Sequence, residues 1–329
     1  MKKGVSCKDR AIFSEFYRQL EDKNNIFFLY CTTNLLHYVL GNVEFHKNIA
    51  NMVLITGGLS AEEKEFASKH LNIAVCHLER AYIDFYIWDL VIETSEKNFG
   101  WLDIDCFIKD EKIIKDLCNI APETCLHAVW ERKYDFYQYE GILTSTYLVF
   151  VNVEIARKIW KELPRISMIP IAFSEDEKKI AFEEYRKLEE DEIVELKKVY
   201  PQESENHVGL DTTHYYQMCA VSKGYPIKLV RGLKDNDYSN EIIHLGSCHI
   251  MDKIVIGVNR RRFFEKFKLR YSFYLLDSYC DILPGQYKVL WKRYHDNLVR
   301  NGINPNMEDI KTKIENFVQL NGISLPMGS

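Results

Sequence analysis

Apolar positions recur at helical spacing over residues 8–23 and give way to polar Asn24 and Asn25. The next run, IFFLYCTT over 26–33, is unbroken aliphatic and aromatic until it meets two hydroxyls, which predicts a buried strand. Residues 34–50 read as a helix, and NMVLITGG over 51–58 repeats the strand-then-loop pattern with a glycine pair to close it. Ser60-Ala61-Glu62-Glu63 has the capping-box order and opens another helix. A short strand over 72–76 and a long helix over 78–94 lead into NFGWLDIDCFI at 98–108. Farther on, LTSTYLVFV (143–151) predicts a strand, 153–163 a helix, and 224–230 the end of a helix and the start of a strand. From 259 onward the pattern is mainly helical and rich in aromatics.

This alternation of strand and helix predicts an α/β fold with a mainly parallel sheet flanked by helices. In open sheets of that kind ligands gather at the carboxyl ends of the strands. Thr32-Thr33, Thr56-Gly57-Gly58 and Asp103-Ile104-Asp105 all fall at or near such ends. No GxGxxG or GxxxxGK[ST] follows any of these strands, which disfavours a dinucleotide fold or a P-loop.

Composition narrows the picture only a little. The 329 residues are 47% hydrophobic, enough for a large core, and the net charge of -5 gives no global reason to expect nucleic acid. Nine cysteines without a CxxC pair predict reduced thiols, with Cys31, Cys106 and Cys219 in core-like contexts, and favour a cytoplasmic protein. The basic start has no apolar run behind it, and nowhere do about 18 apolar residues run uninterrupted, so neither a signal peptide nor a membrane span is expected. Residues 174–200 are charge-dense, with Ser174 and Glu177 in capping-box order, and read as a solvated helical excursion.

The chemistry concentrates in LDID. A carboxylate taken out of water costs several kcal/mol unless it is paired, protonated or metal-bound. On a strand, Asp103 and Asp105 would share one face with Ile104 anchored behind them. Two such charges are unfavourable together unless one is protonated or a cation sits between them, and oxygen ligands suit Mg²⁺ or Mn²⁺ with positions left open for phosphate oxygens. Three readings compete: acids salt-bridged at a strand end, a phosphotransferase with DxDx[TV], or a nucleotide-sugar transferase. Phe107 at the fifth position counts against the second.

Ordered features favour the third. A strand ending LYCTTN is followed by VLITGG, then by ERAYIDFYIWDLVIE leading into NFGWLDIDCFI, then STYLVFVN, HVGLDTTHYYQMCAVSKGYP and IIHLGSCHIMD. From Asn25 to Asp252 the chain resembles the GT-A glycosyltransferases, which carry a DxD motif on a Rossmann-like sheet. The resemblance implies a GT-A catalytic domain over 1–252 and a mainly helical C-terminal extension over 253–329. It implies a hexosyl- or pentosyltransferase that takes a nucleotide-diphosphate donor, most simply a UDP-sugar, with Mn²⁺ or Mg²⁺. Asp103 and Asp105 would hold the metal, with Asp103 also near the ribose, and His249 or else His244 would complete the shell. Tyr30, Thr32 and Thr33 would contact uracil or ribose. Arg80 and Asp84, i and i+4 on the expected helix, would bind sugar hydroxyls or diphosphate, or else only each other. Asp211 would take the acceptor proton in an inverting reaction, or simply cap its helix. STYLVFVN is bulkier than the family's usual acceptor strand, and the acceptor is not implied.

Two readings other than glycosyl transfer stay open: a non-catalytic module of the same fold that binds nucleotide or glycan, and a metal-dependent nucleotidyl transferase. Basic residues interleave with aromatics in NRRRFFEKFKLR (259–270) and YKVLWKRYHDNLVR (287–300), where Arg260 to Arg262 could also reach a donor diphosphate. Such stretches suit nucleic-acid stacking, or else amphipathic helices whose rings pack inward while Lys and Arg reach solvent.

Overall fold

The computed structural model describes residues 4–131, 143–161, 213–234, 241–256 and 262–322. The expected charged excursion at 174–200 and Asp211 lie outside them. The strands are β1 (Ile26–Thr32), β2 (Asn51–Gly57), β3 (Ala74–Leu78), β4 (Phe99–Leu102), β5 (Cys106–Ile108), β6 (Leu126–Glu131), β7 (Leu148–Val151), β8 (Ile227–Lys234) and β9 (Ile242–His244). Seven of them form a mixed, mostly parallel sheet in the order β3-β2-β1-β4-β7-β6-β8, and β5 pairs with β9 in a second, two-stranded sheet. The α/β expectation is met, and the helices α1 (Cys7–Gln19), α2 (Leu36–His46), α3 (Ala61–His70) and α4 (Asp84–Thr94) alternate with the first strands as the pattern required.

The chain divides into two compact units. One comprises Met1–Phe27, Tyr82–Leu102 and Lys112–Asn236. Within it β4 and β6 each run antiparallel to β7, and β6 runs parallel to β8. Most of α5 (Glu111–Cys118), together with α6 (Val153–Trp160) and α7 (His214–Ser222), belongs to this unit. Asp89 of α4, nearly buried, is held by Arg10 at 2.7 Å and by the Trp160 indole N–H at 3.2 Å, so its charge is paired where water is scarce. Gly100 on β4 lies so close to the Phe27 ring that no Cβ fits.

The other unit comprises Phe28–Ala81, Asp103–Glu111 and Asp237–Ser329. Here β2 and β3 run parallel, with Thr56 opposite His77 and Gly57 opposite Leu78. The capping box appears as read: Ser60 accepts from the Glu63 N–H, and the Glu63 carboxylate accepts from the Ser60 N–H. Glu63 is fully buried, yet its carboxylate also receives the Thr33 hydroxyl, the Asn34 N–H and the Tyr287 hydroxyl, all within 2.9 Å. Four donors replace the lost hydration. Three helices close the chain: α8 (Arg262–Tyr279), α9 (Gln286–Arg300) and α10 (Met307–Leu320). On α9, Tyr287 and Tyr294 are buried while Lys288, Lys292 and Arg293 are exposed. Those two rings are committed to the core and are not free to stack on bases. On α8, Phe264, Phe267 and Tyr271 are buried as well.

None of the nine cysteines forms a disulfide; Cys31 and Cys106 are buried and Cys219 is half-buried. No helix among the described residues is long and apolar enough to cross a membrane.

Candidate functional site

The aspartates do not sit on a strand. β4 stops at Leu102 and β5 starts at Cys106, and Asp103, Ile104 and Asp105 form the turn between them. The Cys106 N–H donates back to the Asp103 carbonyl at 3.0 Å. The period-2 argument for a shared face therefore fails, and it is the reversal of the chain that brings the carboxylates together. Ile104 is buried as expected, Asp105 is also buried, and the Asp103 side chain keeps a third of its surface exposed.

A histidine arrives through pairing rather than through sequence proximity. β5 and β9 run antiparallel with Cys106 opposite His244, and the Leu245 N–H donates to the Asp105 carbonyl at 3.0 Å. This register sets His244 Nε2 at 3.4 Å from Asp105 Oδ1 and 3.6 Å from Asp103 Oδ2. One ligand atom from each of the three residues lies within 4.8 Å of the others. Two carboxylates and an imidazole so arranged fit a divalent cation, with the oxygens favouring a hard ion. His249 is not part of the group. Gly246 (φ +65) and Ser247 (φ 55) turn the chain into a single 3-10 turn, Cys248–Ile250, where His249 is exposed.

The electrostatics follow from this packing. Burial alone would lower the His244 pKa, but Asp105 and Asp103 outweigh it and push it up to about 9. Burial would raise Asp105, yet His244 and, behind it, Lys268 of α8 hold its carboxyl below the ordinary value. Without a metal, the imidazolium supplies the cation that the two acids need.

The other expected residues divide. At the end of β1, Tyr30 and Thr32 are half-buried and Thr33 is exposed. A Cβ on Gly57 would meet the Tyr30 hydroxyl at 2.5 Å and the Arg80 carbonyl at 2.7 Å, so the bare glycine is what lets these three segments meet. Thr33 turns its hydroxyl to Glu63, within its own unit. Arg80 and Asp84 do not share a helical face: β3 runs on to Leu78 to complete its ladder with β2, and α4 begins only at Asp84. Arg80 is an exposed residue of the intervening loop. Lys268, buried on α8, went unrecognised in the sequence. Its signal was a lysine on the apolar stripe of Phe264, Phe267 and Tyr271, four residues after the first and three before the last.

Residues 6–156 match the family model of the StrH glycosyltransferase N-terminal domain. That stretch is similar to a glycosyltransferase N-terminal domain. That match takes in a little under half of the chain, includes Asp103 and Asp105, and stops well before His244. Among solved structures, the glycosyltransferase GlyE of Streptococcus pneumoniae TIGR4 is similar at 14% identity and a TM-score of 0.36, over 79% of this chain and 64% of that one. The chain therefore spans less than two thirds of GlyE. A glycosyltransferase involved in glycosylation of the major capsid of PBCV-1 is similar at 18% identity and a TM-score of 0.25, over 48% of this chain and 75% of that one. A cytidylyltransferase from Leptospira borgpetersenii serovar Hardjo-bovis is similar at 15% identity and a TM-score of 0.29, over 60% and 85% respectively. No curated protein matches the chain.

Proposed function

We propose that the protein is a metal-dependent glycosyltransferase that moves a sugar from a nucleotide-diphosphate donor, a UDP-sugar in the simplest case, to an acceptor hydroxyl. The observation that carries this reading is the Asp103–Asp105–His244 group in a chain whose residues 6–156 match a glycosyltransferase domain model. Asp103, Asp105 and His244 would hold Mn²⁺ or Mg²⁺. When bound there, such an ion supplies Lewis-acid stabilisation to the charge that grows on the departing diphosphate. The chain's own contribution is to hold two carboxylates and one imidazole at a fixed spacing, so that little reorganisation is needed as the donor binds. Tyr30 and Thr32, at the end of β1, are the residues we assign to the nucleoside. Arg80, in the loop beside Gly57, is assigned to the phosphates or sugar hydroxyls. Asp211 is the residue assigned to take the acceptor proton.

The test needs no acceptor. A panel of nucleotide sugars is incubated with the protein and Mn²⁺ or Mg²⁺, and release of the nucleoside diphosphate is followed. Hydrolysis that requires the metal and disappears in Asp103→Ala/Asp105→Ala, with the fold intact by circular dichroism, supports the proposal. Full activity in that double variant would sink the metal role. Metal-dependent UDP binding without turnover would point to a binding module, and turnover of nucleoside triphosphates alone to nucleotidyl transfer.

A further inference from the structure

The turn that carries Asp103 and Asp105 is gripped from behind by two side chains of α2. Asn42 is completely buried, and its Nδ2 donates to the Cys106 carbonyl at 2.8 Å and to the Asp103 and Ile104 carbonyls at 3.3 Å each. His46, one helical turn farther on and equally buried, accepts the Ile108 N–H at Nε2 over 2.9 Å. With Nε2 accepting, its proton belongs on Nδ1, which donates to the Asn42 carbonyl at 2.9 Å and to Asn42 Oδ1 at 3.0 Å.

The pair is self-orienting. Because Oδ1 receives the His46 proton, the amide nitrogen must face the turn, and the reverse orientation would set an oxygen against three carbonyl oxygens. Every polar atom of both side chains has a partner, as a buried network requires. Neither residue reaches the candidate ligand atoms themselves. Asn42 takes the backbone at Asp103, at Ile104 and just beyond Asp105, while on the β9 side the Leu245 N–H takes the Asp105 carbonyl. The directions in which the two carboxylates leave the chain are therefore set from both sides of the turn. Metal and catalytic constellations tolerate errors of only about 0.5 Å, and partners one step removed from the ligands are typically worth about 10–100-fold in metal affinity.

We infer that Asn42, oriented by His46, is a positioning residue that holds the Asp103–Asp105 turn in its cation-binding geometry. This rests on the metal reading proposed above. The test compares the unaltered protein with Asn42→Ala and His46→Leu, using Mn²⁺ alone as the calorimetric ligand, thermal unfolding as the check on folding, and donor hydrolysis over a range of Mn²⁺ concentrations. The expected result is a cooperatively folded variant whose Mn²⁺ affinity falls by about tenfold or more. Its hydrolysis should recover toward the wild-type kcat as Mn²⁺ is raised, with the KM for donor at saturating metal little changed. A merely structural role would lower the melting temperature without moving the Mn²⁺ affinity of the folded protein, and that result overturns the inference. So does failure of both variants to fold. Absence of Mn²⁺ binding by the wild-type protein would sink the metal reading itself, which keeps the two failures apart.

Discussion

His244 Nε2 stands 3.4 Å from Asp105 Oδ1, and the Cys106–His244 register of a two-stranded sheet puts it there. Both side chains are largely removed from solvent, at 14% and 5% exposure, so neither charge is well hydrated and each depends on the other.

His244→Ala should therefore act twice. It removes one of three candidate ligands, so Mn²⁺ affinity by calorimetry should fall at least tenfold. It also strips the buried Asp105 carboxylate of its closest cationic partner, and the metal-free protein should lose about 1–3 kcal/mol in urea unfolding. Unchanged Mn²⁺ affinity would remove His244 from the site.

His37 sets an acid limit. Both of its ring nitrogens are buried without a hydrogen-bond partner among the described residues, and burial lowers its pKa to about 3. The unfolded chain takes up a proton near the ordinary value of about 6.5, while the folded protein does not until about pH 3. Stability is thus fully present above about pH 6.5 and should decline as pH falls toward 3, by as much as about 1.4 kcal/mol per pH unit from this group. His46, lowered to about 4 by burial, adds to the same trend. Urea unfolding at pH 7 and pH 5 should show a smaller difference for His37→Phe than for wild type; an equal difference would clear His37 of the effect.

The Tyr287 hydroxyl accepts the Leu36 N–H at 3.0 Å and donates to Glu63 at 2.9 Å. Tyr287→Phe keeps the ring but leaves that N–H without its acceptor and the carboxylate short of one donor. A loss of about 1–3 kcal/mol is expected, read as a lower urea midpoint at unchanged m-value. A midpoint within error of wild type would mean that water replaces the hydroxyl.

Gly100 is constrained by its neighbour and not by its backbone. Gly100→Ala would drive a methyl group into the Phe27 ring, which is itself buried and packs on Phe150 with centroids 5.7 Å apart. Overpacking of this kind costs about 1–3 kcal/mol, and the paired change Gly100→Ala/Phe27→Leu should cost less than the two single changes added together. Additive effects would show that the two sites do not touch.

What was legible in the sequence was local. Unbroken apolar runs marked β1 and β2, and Ser60 and Glu63 marked the start of α3, because hydrophobic periodicity and capping depend on residues a few positions apart. The two aspartates stood out because charge is costly inside an apolar run, and that much needed no structure. Their geometry was not legible, since whether LDID continues a strand or turns is decided by where β4 ends and where β9 can pair with β5. For the same reason His244 and His249, five residues apart, were indistinguishable until the register placed His244 opposite Cys106. Arg80 and Asp84 were misread as helical neighbours because the β2 ladder extends β3 to Leu78, a demand made by a partner strand. Asn42, His46 and Lys268 joined the site only through packing: the hydrogen bonds of the first two to the turn, and the charge of the third acting on Asp105, link segments far apart in the chain. The sequence thus determined the elements and named the two acids, while the tertiary structure decided their surroundings, because strand pairing and burial are properties of partners that a linear pattern does not identify.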